Sequence, residues 1–302
     1  MTTQTICILG GTGFVGRHLA ARLAKDGHRL KVLTRHRERH RDLLVLPRLI
    51  LAEADVQDAK VLAAELDGCD VAVNLIGILN ERGRDGRGFY QAHVELPRKL
   101  AQACREKGVR RVLHMSALNA DAAYGRSHYL RTKGEGENIM HAAHDLHVTS
   151  FRPSVIFGAG DSFFNRFARL LKVTPYWFPL AAAGTRLQPV HVGDVVEAFA
   201  RALARPGTIG KRLELCGPKV YSLEELVEYT AATLRLRRRV VALGNGMSRL
   251  QARLLEHLPG KPFSWDNYLT LQTDSVCHGG FPEQLGILPA AVEDIVPGYL
   301  TR

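Results

Sequence analysis

No apolar run of about 18 residues occurs in the 302-residue sequence, so no segment has the length and hydropathy of a bilayer-spanning helix. The start, MTTQTICILGG, has no basic segment and interrupts its apolar stretch with glycines, so no signal peptide is expected. Cysteine is sparse. Cys7, Cys69, Cys104, Cys216 and Cys277 are scattered, odd in number and never spaced as CxxC. They read as buried small hydrophobes of a reducing, cytoplasmic compartment, and no metal centre is expected. Internal repeats and low-complexity linkers are missing too. Carboxylates are in deficit, 30 against 41 Lys and Arg, for a net charge of +11. Much of the excess lies in RHRERHRD at 35–42 and RLRRR at 235–239. No aromatic residues are interleaved with these bases, so nucleic acid is not an expected partner; the positive field suits other anions.

What is present is 46% apolar content, enough for a large core. Short β-rich runs alternate with helix-length segments. Strands are expected at 5–9, 29–34, 49–54, 71–76, 111–116 and 147–152, with helices at 14–26, 58–66, 89–107 and 129–144. Apolar strands that alternate with helices call for a parallel sheet covered on both faces, a doubly wound α/β architecture. After Pro153 the rhythm is less regular. LQPVHV reads as a strand, 194–204 as a helix capped by Asp194, RLELC as a strand, and SLEELVEYTAATL as a helix opened by a Ser222–Glu225 capping box. The expected division is a dinucleotide-binding domain over 1–153, to which 186–205 returns, and an interleaved smaller C-terminal lobe over 154–302.

Residues 10–16, GGTGFVG, place four glycines where the first strand ends. Gly10, Gly13 and Gly16 follow the spacing G-x-x-G-x-x-G before an amphipathic helix. Backbone N–H groups and the helix dipole at such a start suit a pyrophosphate. In a dinucleotide fold the three glycines serve the tight turn, the approach of the phosphates and the packing of helix on strand. Arg35 ends the second strand, nineteen residues after Gly16. A guanidinium there suits the 2′-phosphate of NADP(H), where an acid would suit the ribose of NAD(H). Asp55 either accepts from an adenine amino group, with Val56 packed on the ring, or caps the following helix.

With DVQD (55–58), NLIG (74–77), HMSALNA (114–120), YLRTKGEGE (129–137), RPSVIFGAGD (152–161), PVHVGDVVEAF (189–199) and LCGPKVYSLEEL (215–226), the glycine turn resembles extended or atypical short-chain dehydrogenase/reductases. NLIGIL, SALNA, YLRTK and RPSVIFGAGDSFFNRFA are most similar to the nucleotide-binding accessory subunit of respiratory complex I and its bacterial relatives. The resemblance covers about residues 5–235. It implies a Rossmann domain in which Ser116, Tyr129 and Lys133 are catalytic. Cofactor contacts would come from Gly10, Thr12, Gly13, Phe14, Val15, Gly16, Arg35, Asp55, Val56, Leu75, Ile76, Gly77, Tyr129, Lys133, Pro153 and Val155. Tyr129 and Lys133 are four apart and share a helix face, so the ammonium is expected to pull the phenol pKa down. His93 stands where the family has a water-holding asparagine, in either a relay or a packing role. Phe157 reads as a packing residue.

Three functions are compatible with this reading. The first is an NADP(H)-dependent oxidoreductase acting on a hydrophobic or quinone-linked substrate. The second is a cofactor-stabilised assembly or scaffold protein, with a respiratory complex or the inner face of the plasma membrane as partner. The third is a sugar-nucleotide epimerase or dehydratase, for which only Arg186, Arg205 and Arg212 offer diphosphate partners. Residues 246–258 carry Met247, Leu250, Leu254 and Leu258 on one stripe, which is expected to pack on its own lobe and alternatively to rest on an anionic membrane or a large partner.

Overall fold

The computed structural model describes residues 3–258 and 261–301. The first half winds as β1 (Thr5–Leu9), α1 (Phe14–Lys25), β2 (Arg29–Thr34), β3 (Leu49–Glu53), α2 (Ala59–Leu66), β4 (Val71–Asn74), α3 (Arg87–Tyr90), α4 (Leu96–Lys107), β5 (Arg111–Met115), α5 (His128–Ala142) and β6 (His147–Pro153). A single π-helical turn, Gln91–Glu95, joins α3 to α4 where one continuous helix was expected. β4 stops two residues early because the Asn74 side chain accepts from the Ile76 N–H at 3.1 Å and turns the chain out of the sheet.

The second half continues with β7 (Ile156–Phe157), α6 (Phe164–Val173), β8 (Trp177–Leu180), β9 (Arg186–Leu187), β10 (Val190–His191), α7 (Val192–Leu203), β11 (Arg212–Leu215), β12 (Tyr221–Ser222), α8 (Leu223–Thr233), β13 (Arg239–Ala242), α9 (Asn245–Leu255) and α10 (Trp265–Thr270). LQPVHV is two short strands instead of one. Pro189 separates them, and β9 pairs with β12 while β10 pairs with β7. The Ser222–Glu225 capping box forms as expected. Asp194 is not the cap of α7. That helix starts at Val192, and the Asp194 carboxylate accepts instead from the Ala290 N–H at 2.8 Å.

Seven parallel strands form the sheet in the order β11-β6-β5-β4-β1-β2-β3. Leu19, Val195 and Phe199 of α1 and α7 bury one face; Leu62, Leu100 and Met140 of α2, α4 and α5 bury the other. A third cluster around Phe157, Phe164, Leu223 and Leu226 fills the smaller lobe. Phe157 is fully buried there, as its packing role required. β11, numbered with the smaller lobe in the sequence reading, is the seventh strand of the large sheet. Strand order reverses between β1 and β4, so the crevice at their C-terminal ends is the place where such sheets take ligands.

The cysteines require a correction. Cys7, Cys69 and Cys104 are buried free thiols, but Cys216 and Cys277 form a disulfide with Cα atoms 6.1 Å apart. The segment around Ser275 crosses the end of β11: Gln188 N–H donates to the Ser275 carbonyl at 3.0 Å and Cys277 N–H to Gln188 Oε1 at 3.1 Å. That crossing joins thiols 61 residues apart, which cysteine spacing does not reveal.

Candidate functional site

The crevice is built from the glycine turn and the loop after β4. Gly10 adopts φ +78°, and a Cβ there would lie 3.1 Å from the Ile76 nitrogen, so the two loops touch. A Cβ on Gly16 would run into the Gly10 carbonyl and Gly11. Gly13 differs. It is exposed, has ordinary extended dihedrals and caps α1 without any side-chain bond, so no cap side chain occupies the first-turn N–H groups of α1. Thr12 accepts from Arg17 Nε at 2.9 Å through its carbonyl, and Val15 packs on the core. Phe14 reaches the 158–160 loop, 3.6 Å from the position a Gly158 Cβ would take. That loop follows Pro153, which is buried, and Val155, whose carbonyl accepts from the Val190 N–H at 2.9 Å.

Arg35 leaves β2 at the same edge, exposed, and pairs with no carboxylate among the described residues. Glu53, the ladder partner of the preceding Thr34, is occupied by the Arg37 N–H at 2.9 Å. Asp55 does not cap α2. Asp58 does, accepting from the Lys60 and Val61 N–H groups, while Asp55 Oδ1 accepts from the Gln57 N–H at 3.0 Å. Val56 is buried in the core beneath. Leu75 continues from β4, its N–H bound to the Leu9 carbonyl at 3.0 Å, and Gly77 is exposed at the crevice.

α5 carries Tyr129, Lys133 and Glu137 on one face. Lys133 is buried; its ammonium donates to the Met115 carbonyl at 3.0 Å and lies 3.0 Å from where a Gly77 Cβ would be. Desolvation lowers its pKa to about 8, against the opposing pull of Glu137. The expected lowering of the tyrosine does not occur. Burial, and secondarily the Asp266 carboxylate, raises the Tyr129 phenol to about 12. Lys133 has turned its charge to the sheet edge, where it offsets none of that desolvation.

His93 sits in the π-helical turn. Its Nε2 accepts from the Ile78 N–H at 3.1 Å, which leaves the proton on Nδ1 to donate to Thr132 Oγ1 at 3.0 Å. Burial, then the Lys133 charge, holds the ring well below the usual histidine range, so it is neutral and both nitrogens are engaged. Ser116 is brought to the same edge, but its hydroxyl donates to Glu137 at 2.7 Å. Arg186, Arg205 and Arg212 do not converge: Arg186 pairs with Asp274 at 2.8 Å and Arg212 with Glu137 at 2.8 Å.

Two residues that sequence reasoning missed organise the tyrosine end. Asp266 of α10 accepts from the His128 and Tyr129 N–H groups at 2.6 and 3.2 Å and so supports the start of α5, beside its N-cap Ser127, from 137 residues away. Phe89 meets the Tyr129 ring edge-on at 6.3 Å. Both line a cavity of about 340 Å³ with Asn80, Arg84, Arg131 and Trp265. Glu137 had a local signal, since it continues the i, i+4 row of Tyr129 and Lys133.

The sequence pattern of NAD dependent epimerases and dehydratases matches residues 6–216. The chain belongs to this NAD dependent epimerase/dehydratase family. Among its relatives, the mitochondrial NADH dehydrogenase (ubiquinone) 1 alpha subcomplex subunit 9 of Rattus norvegicus is 34% identical over 231 residues, 74% of this chain and 59% of that protein. The chain thus spans about three-fifths of that relative's length. A ceramide reductase of Caulobacter vibrioides is 31% identical over 63% of this chain and 57% of that protein. The family fold extends to solved structures: DesIV, a dTDP-glucose 4,6-dehydratase from Streptomyces venezuelae, aligns at TM-score 0.75 and 22% identity over 98% of this chain and 95% of that one. No helix among the described residues is long and apolar enough to cross a membrane.

Proposed function

We propose that this chain binds NADP(H) in preference to NAD(H) across the β1–β4 crevice and reduces a carbonyl of a hydrophobic substrate, of lipid or quinone type. The observation that carries the proposal is the placement of the buried Lys133 ammonium beside Gly77, one helical turn from Tyr129, at the edge where the glycine turn opens. The first-turn N–H groups of α1 would hold the pyrophosphate, Arg35 the 2′-phosphate, and the remaining Asp55 oxygen the adenine amino group. The dinucleotide, when bound, supplies the hydride. Tyr129, held protonated at neutral pH by a phenol pKa of about 12, donates the proton to the carbonyl oxygen as it becomes a hydroxyl, and regains it from water.

A second reading draws on His93 and Ser116. With both imidazole nitrogens engaged and the serine hydroxyl committed to Glu137, the relay is incomplete, which suits a cofactor-stabilised scaffold. The sugar-nucleotide reading is the weakest, because Arg186 and Arg212 are already paired with carboxylates.

Calorimetric titration with NADPH and NADH, followed by assay of NADPH oxidation with quinones and lipid ketones, separates these. Tight binding with turnover that drops about a hundredfold or more in Tyr129→Phe, at unchanged affinity, is expected. Binding without oxidation of any acceptor would move the weight to the scaffold. Arg35→Asp should weaken NADPH by roughly tenfold to a hundredfold and leave NADH nearly unaffected. Equal losses for both would remove Arg35 from the 2′-phosphate.

A further inference from the structure

The stripe on α9 does not pack on its own lobe. Ser248 and Ala252 face inward, while Met247, Leu250 and Leu254 are 56%, 48% and 61% exposed. The helix rests beside the β8–β13 ribbon, where Gln251 donates to the Pro179 carbonyl at 3.0 Å. That ribbon exposes Trp177 and Val241, with Tyr176 just before it. Eight of the sixteen large apolar residues exposed among the described residues fall within 173–177 and 241–258, so the exposure is clustered.

Along the chain the charge of this cluster is almost all of one sign, with Glu256 at the end of α9 the exception. No Asp or Glu occurs from Tyr229 to Leu255, a stretch with arginines at 235, 237, 238, 239, 249 and 253. None occurs from Ser162 to Gly193 either, the segment that supplies α6 and β8. The exposed Arg237, Arg239, Arg249 and Arg253 form no ion pair among the described residues.

We propose that this arginine-rich face, centred on α9 and the β8–β13 ribbon, docks on the surface of an anionic lipid bilayer. Leu250 and Leu254 would enter the acyl boundary, Trp177 and Tyr176 would sit at headgroup depth, and the arginines would meet lipid phosphates. A second copy of the chain is a poor occupant, because apposing two such faces would bring their arginine runs together. The docking stands apart from the catalytic reading. Even so, Arg253 and Glu256 also line the cavity beside Phe89 and Asp266, so a docked chain would open that cavity close to the lipid.

The test is cosedimentation of the full chain, without nucleotide or substrate, with vesicles of phosphatidylcholine alone or mixed with phosphatidylglycerol. Expected are binding to the mixed vesicles only, weakening with added salt, and a loss of at least about tenfold in Leu250→Glu/Leu254→Glu. These side chains are exposed, so the variant should melt as the parent does. Arg237→Glu/Arg239→Glu provides an independent variant and should lose binding in the same assay. No sedimentation with mixed vesicles overturns the proposal, as does undiminished binding of both variants. A dimer by light scattering that Leu250→Glu/Leu254→Glu dissociates would overturn it in favour of a second copy. An inactive chain that still binds vesicles would refute the reductase reading alone.

Discussion

Gly13→Val is expected to lower dinucleotide affinity by about a hundredfold or more while leaving a folded protein. A Cβ at Gly13 meets only the Gly10 carbonyl, at 3.3 Å, and the backbone there is in a region open to any residue. The fold therefore tolerates the side chain at a cost of about 1 kcal/mol for a poor N-cap. What valine occupies is the space into which the α1 N–H groups point. Gly16→Val makes the contrast, because its Cβ collides with the turn backbone and the variant should not fold. Calorimetry and thermal melting of the two variants separate the roles. Retained affinity in folded Gly13→Val would remove the phosphate from this turn.

Glu137→Leu should destabilise the chain by about 3 kcal/mol, read as a lower urea midpoint at constant slope. Glu137 is fully buried and holds three elements to α5. Its carboxylate accepts from Arg152 of β6 at 3.0 Å and from Ser116 after β5 at 2.7 Å, and forms an ion pair with Arg212 of β11 at 2.8 Å. Removing it leaves two guanidiniums facing an apolar side chain. The figure is the low end of the range for broken buried pairs, because both arginines keep some water. β11 joins the sheet late in the chain and should be the strand that loosens first in hydrogen exchange. An unchanged midpoint would mean that the parallel pairing of β11 with β6 needs no such anchor.

Much of the site was legible because its signals are local. The glycine spacing read correctly as packing at Gly16, since the atoms its Cβ must avoid, in Gly10 and Gly11, lie within the same seven residues; at Gly10 the φ of +78° is local, but the close neighbours, Leu75 and Ile76, come from the loop after β4. The α5 row of Tyr129 and Lys133 follows from helical period alone. The expected direction of the tyrosine pKa failed for a reason of the opposite kind. Proximity in sequence places the ammonium near the phenol, but desolvation is a sum over every neighbour. Here burial and Asp266, from α10, outweigh a lysine whose proton is directed at Met115.

The sequence by itself determined the order of strands and helices as far as β6, the amphipathic character of α1, the Ser222–Glu225 cap and the placing of the glycine turn at the end of β1. Each depends on contacts a few residues apart or on a period along one element. Only the tertiary structure decided that Cys216 meets Cys277, that Asp266 holds the first N–H groups of α5, that β11 completes the large sheet and that the leucines of α9 face outward. An amphipathic period states that a helix has an apolar face; which neighbour covers that face, if any does, depends on segments scores of residues away.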